Sequence, residues 1–63
     1  MISKLKQERL LQGITQYRLE QETSIHQTLI SLFERGLRKP NKEQRRKLAK
    51  ALEAKEESLF PDI

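Results

Sequence analysis

Residues 24–36, SIHQTLISLFERG, have the length and residue types of a short helix, yet their apolar side chains spread over too wide an arc for a single buried stripe. At about 100° per residue, Ile30 and Phe33 share one face and Leu29 lies on its edge. Leu32 falls about 160° away from Ile30, beside Thr28 and Arg35. The segment therefore reads as a helix with a core face and an opposite face of mixed chemistry that includes a bare leucine. Gly36 closes it, because glycine enters the left-handed conformation past a helix end without a Cβ penalty.

Upstream, Ser3 is placed to cap a first helix running to about Gln12, with Gly13 just past its end. Thr15 offers a hydroxyl to a second, short helix over roughly Gln16 to Glu22. Thr23 to Ile25 reads as a tight turn, and the third helix covers about Gln27 to Arg35. Downstream, LRKPN is a loop in which Pro40 biases Lys39 away from helix. Asn41 caps a fourth helix reaching about Leu52, and LEAKEESLF forms a short helical tail stopped by Pro61. No stretch alternates as a strand does. The expectation is an all-α fold, a compact bundle of about five short helices forming one domain over residues 1–63. Its expected core is Leu5, Ile14, Leu19, Ile25, Ile30, Phe33, Leu48, Leu52 and Leu59.

The core must be lean. A chain of 63 residues with 35% hydrophobic and 5% aromatic content has little to bury, and domains this small cover only about 60% of the surface their unfolded chain exposes. No cysteine is present to staple it. Charge interrupts every apolar run near the N-terminus, so no signal peptide is expected, and no segment approaches the roughly 20 apolar residues of a membrane span. One histidine, no cysteine and no glycine-rich phosphate loop leave no nucleophile, metal cluster or acid–base pair. An enzyme, a metal and a cofactor are therefore not expected. The net charge is +4, from 13 basic and 9 acidic residues, a mild bias toward a polyanionic partner. Its distribution says more: Arg35, Arg38, Lys39, Lys42, Arg45, Arg46, Lys47 and Lys50 crowd one span, interrupted by Glu43. The basic helix after Asn41 lacks the aromatic-rich apolar face of a membrane-surface helix.

The stretch from Thr15 to Pro40, TQYRLEQETSIHQTLISLFERGLRKP, resembles the helix-turn-helix of the Cro and phage-repressor family of xenobiotic-response-element regulators. The matching residues are Thr15, Gln16, Leu19, Ile25, Ile30, Ser31, Glu34, Gly36, Arg38 and Pro40, in ungapped register. Arg9, Gly13 and Ile14 fit the family's lead-in, and Lys47–Leu52 with Ser58–Phe60 resemble its closing helices. Three residues depart from the pattern. Glu20 replaces a small alanine between helices two and three, Ser24 replaces the turn glycine, and His26 replaces the serine or threonine cap of helix three.

The resemblance implies a lambda-repressor-like fold, bacterial or phage-like, cytoplasmic, and a transcriptional repressor binding double-stranded DNA as a homodimer on a two-fold symmetric operator. It places Gln27, Thr28, Ser31 and Leu32 against base edges in the major groove. Without it, these three polar residues and Gln16 read simply as solvated helix residues. It assigns phosphate contacts to Gln16, His26, Arg35, Arg38, Lys39 and Lys42, and a helix-clamping ion pair to Arg9 and Glu34. For Leu32 the working expectation is contact with thymine methyls; a surface residue without a role and a patch for a protein partner are the alternatives. Arg45 stands where relatives carry an apolar residue, and its aliphatic stem is expected to cover core. The dimer surface is expected around Leu59, Phe60 and Ile63. The competing function is a protein-interaction module of the same fold, an antitoxin or adaptor, suggested by Leu29, Leu32, Glu20 and Glu22.

Overall fold

The computed structural model describes residues 3–61. Within them the chain forms α1 (Lys4–Leu11), α2 (Gln16–Thr23), α3 (Gln27–Glu34), α4 (Lys42–Ala51) and α5 (Glu56–Leu59), with no strand among the described residues. The fold is all-α, as expected, and α1 to α4 begin within a residue or so of their sequence signals; the tail expected as helix over LEAKEESLF is helical only at Glu56–Leu59, residues 52–55 forming the turn after α4. Ser3 accepts from the Lys6 N–H at 3.1 Å and Thr15 from the Arg18 N–H at 3.0 Å. At α4 the cap is reciprocal: Asn41 accepts from the Gln44 N–H, and the Gln44 side chain accepts from the Asn41 N–H, both at 2.8 Å. Each such cap satisfies an N–H that the first turn leaves open, and contributes about 1 kcal/mol.

Three helices end the same way. The N–H one residue past the left-handed position donates back to the carbonyl five residues earlier: Ile14 to Arg9, Leu37 to Leu32 and Ala54 to Ala49, at 3.1, 2.9 and 2.9 Å. This Schellman geometry needs a positive φ at Gly13, Gly36 and Glu53. Glycine meets that need twice; Glu53, at φ 52°, meets it with a side chain. Ser24, at φ 62°, carries the same strain in the turn between α2 and α3. Ser24→Gly and Glu53→Gly should therefore each raise stability, by about 0.5–1 kcal/mol once glycine's extra unfolded-state entropy is deducted. Calorimetry would read this as a gain of a few degrees in Tm (~4–8 °C per kcal/mol). An unchanged or lower Tm would mean that the present side chain contributes something the glycine lacks.

The core joins all five helices: Leu5 from α1, Leu19 from α2, Ile30 and Phe33 from α3, Leu48 and Ala49 from α4, and Leu59 from α5, with Ile25 and Leu52 from the connections. α2 packs between α3 and α4, while α1 closes over α3 and α5. Ile14 is a correction. Expected in the core, it is only half-buried and packs on its rim, because it sits in the connection after Gly13 with one side open. The expected C-terminal dimer patch also changes. Leu59 is buried, 3% exposed, and is committed to the core; Phe60 is half-buried, and Ile63 lies outside the described residues.

Three polar residues complete the fold by satisfying backbone groups, one of them far away in the chain. Thr23, expected in the turn, ends α2 buried; its hydroxyl donates to the Leu19 carbonyl at 2.7 Å and accepts from the Ile25 N–H at 3.2 Å. Gln12 donates through Nε2 to the Leu52 carbonyl at 2.7 Å, tying the end of α1 to the end of α4. Arg45 is half-buried, and its head is engaged. Nη1 donates to the Pro40 carbonyl at 2.9 Å, and Nε lies 3.8 Å from Glu56 Oε1 on α5. No buried side-chain nitrogen or oxygen among the described residues lacks a hydrogen-bond partner.

Candidate nucleic-acid interface

α3 divides as its periodicity requires. Ile30, Phe33 and Glu34 are buried, with Leu29 half-buried beside them. On a wheel of about 100° per residue, Gln27, Ser31, Arg35, Thr28 and Leu32 then follow one another within an arc of about 140°. Gln27, Thr28 and Arg35 are exposed; Ser31 and Leu32 are half-buried. The leucine is thus less bare than its wheel position suggests. The helix ending supplies a reason. The bond from the Leu37 N–H to the Leu32 carbonyl folds the chain back over the last turn, and this motif commonly pairs apolar residues at those two positions.

The N-terminus of α3, where the departures from the family pattern cluster, is fully accounted for. The Gln27 N–H donates to Glu20 Oε1 at 3.2 Å and the Thr28 N–H to His26 Nδ1 at 3.1 Å. The Leu29 and Ile30 N–H groups donate to the His26 carbonyl at 2.9 and 3.0 Å. An imidazole therefore performs the capping that a hydroxyl performs in relatives. With Nδ1 accepting, the proton of the neutral ring sits on the exposed Nε2, a donor facing solvent.

The other end of α3 is locked to α1. Arg9 Nε donates to Glu34 Oε2 at 2.7 Å, Arg9 Nη2 to Glu34 Oε1 at 3.1 Å, and Arg9 Nη1 to the Ile14 carbonyl at 2.8 Å. The two side chains are 9% and 2% exposed, so this is a two-pronged, desolvated pair. Gln16 joins it, its Nε2 donating to Glu34 Oε1 at 3.0 Å. The second hydrogen of that amide remains for another acceptor at the start of α2. One carboxylate thus holds α1, the first turn of α2 and the end of α3 in fixed relation.

After α3 the chain turns basic. Arg35, Arg38, Lys39 and Lys42 are exposed, and none of them forms an ion pair among the described residues. Arg35 Nε donates only to the Ser31 carbonyl, at a long 3.4 Å. By contrast Arg18 pairs with Glu22 at 2.9 Å and Lys47 with Glu43 at 3.6 Å, both one helical turn apart. Pro40, buried, anchors the basic loop against the body of the protein.

A short helix locked at both ends, with an exposed arc and cations after it that are unpaired among the described residues, next to a second helix joined by a tight left-handed turn, defines a helix-turn-helix protein. The helix-turn-helix family model matches residues 5–59, and the chain belongs to that family, the Cro-like xenobiotic-response-element regulators. It is a DNA-binding regulatory protein of that type. No curated protein and no solved structure matches the chain. Among the described residues, no helix is long and apolar enough to cross a membrane.

Proposed function

We propose that this chain is a sequence-specific repressor that inserts α3 into the major groove of a two-fold symmetric operator as a homodimer. The observation that carries the reading is the exposed arc of α3 followed by four exposed cations with no ion-pair partner among the described residues, Arg35, Arg38, Lys39 and Lys42. Gln27 and Thr28 present donors and acceptors toward base edges, a glutamine being suited to adenine N6 and N7. Ser31 and Leu32 extend the same face, with the leucine meeting thymine methyls. Gln16, through its second amide hydrogen and the helix N-terminus, and His26, through Nε2, grip phosphates beside the basic loop. A module of this size buries little DNA surface, so two copies on two half-sites are needed for tight binding.

Selection from a random duplex library at physiological salt tests the reading. An inverted repeat with half-sites about 10 bp apart is expected. Weak, salt-sensitive binding to every sequence alike would instead favour the interaction-module reading, which draws support from Leu11 and Leu37, 82% and 67% exposed. Leu32→Ala tests the methyl contact in the same assay. The expected result is loss of a thymine preference worth about 1 kcal/mol, the lower end of the usual cost of a wrong base. An unaltered motif and affinity would reduce Leu32 to a partner of the helix ending.

A further inference from the structure

Two carboxylates at the ends of α3, one within it and one on α2, are in opposite situations. Glu34 is buried and held by Arg9 and Gln16. Glu20 is half-buried on α2, pairs with no cation among the described residues, and reaches forward to the Gln27 N–H through one oxygen, Oε1, at 3.2 Å. Gln27 is the first residue of α3 and begins its exposed arc. The fold therefore sets a negative charge beside the end of the helix that meets base edges, with Oε2 left over as an acceptor.

We infer that Glu20 is a specificity-determining residue that accepts a hydrogen bond from the N4 amino group of a cytosine in the major groove. The inference rests on α3 being the reading helix. Among phosphates and base acceptors a carboxylate loses water and gains repulsion unless a donor meets it. The major groove offers two kinds of base donor, cytosine N4 and adenine N6. Adenine sets its N7 acceptor beside that amino group, against the carboxylate; cytosine does not. Guanine O6 and N7 and thymine O4 only accept, so they oppose the charge directly. Arg18, two residues before Glu20 and so on the opposite side of α2, does not relieve this, since its guanidinium is engaged with Glu22 at 2.9 Å.

Site selection with the intact protein, Glu20→Gln and Glu20→Ala tests this, with a thermal melt of each to establish that it folds. The intact protein should enrich cytosine at one fixed position of its site, with a preference on the order of 10-fold or more over guanine or thymine. Glu20→Gln keeps an acceptor for the Gln27 N–H but loses the charge, and should move that position from cytosine to adenine, as an amide pairs with N6 and N7. Glu20→Ala should leave the position degenerate while the rest of the motif stands. Selection of one and the same motif by all three proteins would overturn the inference and leave the reading of α3 intact. If the intact protein selects no motif, both fall. Should the alanine variant fail to fold, the cytosine-to-adenine change in Glu20→Gln still decides.

Discussion

Glu34→Gln should cost the protein about 3–5 kcal/mol, the usual result of stranding one charge of a buried pair. The carboxamide occupies the same space but brings no negative charge to the Arg9 guanidinium, which stays 9% exposed at its side chain. It also cannot serve all three donors that now converge on the carboxylate, Arg9 Nε, Arg9 Nη2 and Gln16 Nε2. The loss is large relative to the whole. A chain of 63 residues with no cysteine rarely has more than about 3–5 kcal/mol to lose. Urea unfolding followed by circular dichroism should find the variant substantially unfolded before denaturant is added. The double replacement Arg9→Met with Glu34→Leu should recover part of the loss, since no charge is then left buried, although the Ile14 carbonyl still loses the Arg9 Nη1 donor. If Glu34→Gln melts with the native protein, the pair does not clamp α1 to α3.

Local chemistry explains why so much of the fold is legible from the sequence. Ser3, Thr15 and Asn41 announce helix starts because a cap bonds an N–H only three residues on. Gly13 and Gly36 announce ends because no other residue adopts φ near 70° without cost. The core face of α3 follows from periodicity alone. What escapes is long-range or locally unmarked. Gln12 gives no hint of the Leu52 carbonyl, 40 residues away, and Arg45 none of Pro40 or Glu56. Glu53 ends α4 with a left-handed glutamate that no residue preference signals. Thr23 reads as a turn residue because its burial depends on how α2 meets its neighbours.

The same division runs through the candidate site. Exposure of Gln27, Thr28 and Arg35 follows from the helical wheel, whereas the pairing of Arg9 with Glu34 is implied only by family resemblance. Glu20 and His26 stand out in the sequence as departures from the family pattern, and in the structure both cap one helix. The His26 cap is local, two residues from its donor, and sits where the sequence places a cap; the reach of Glu20 to Gln27 depends on the angle between α2 and α3, which no short-range pattern fixes. Leu32 shows the converse. Its position on the wheel is legible, but neither its half-burial nor the bond that its carbonyl accepts from the Leu37 N–H is.

Removing the basic loop should separate grip from reading. In the triple variant Arg38→Ala, Lys39→Ala, Lys42→Ala, stability should change little. All three side chains are exposed and form no ion pair among the described residues, and such surface substitutions are usually within about 0.5 kcal/mol each. Duplex affinity should fall steeply. If each cation neutralises one phosphate, the slope of log K against log salt becomes shallower by about 0.9 per residue, or roughly 2.7 for the three. At physiological salt that corresponds to a loss on the order of 100-fold. The fall should be alike for every sequence, because phosphate contacts position the protein without carrying base information. The motif selected from a random library should therefore survive in the variant, recovered at lower salt. Titration of a fluorescent duplex across a salt series gives both slope and affinity. A slope equal to that of the native protein would remove these residues from the DNA backbone. A changed motif would place at least one of them against a base edge instead.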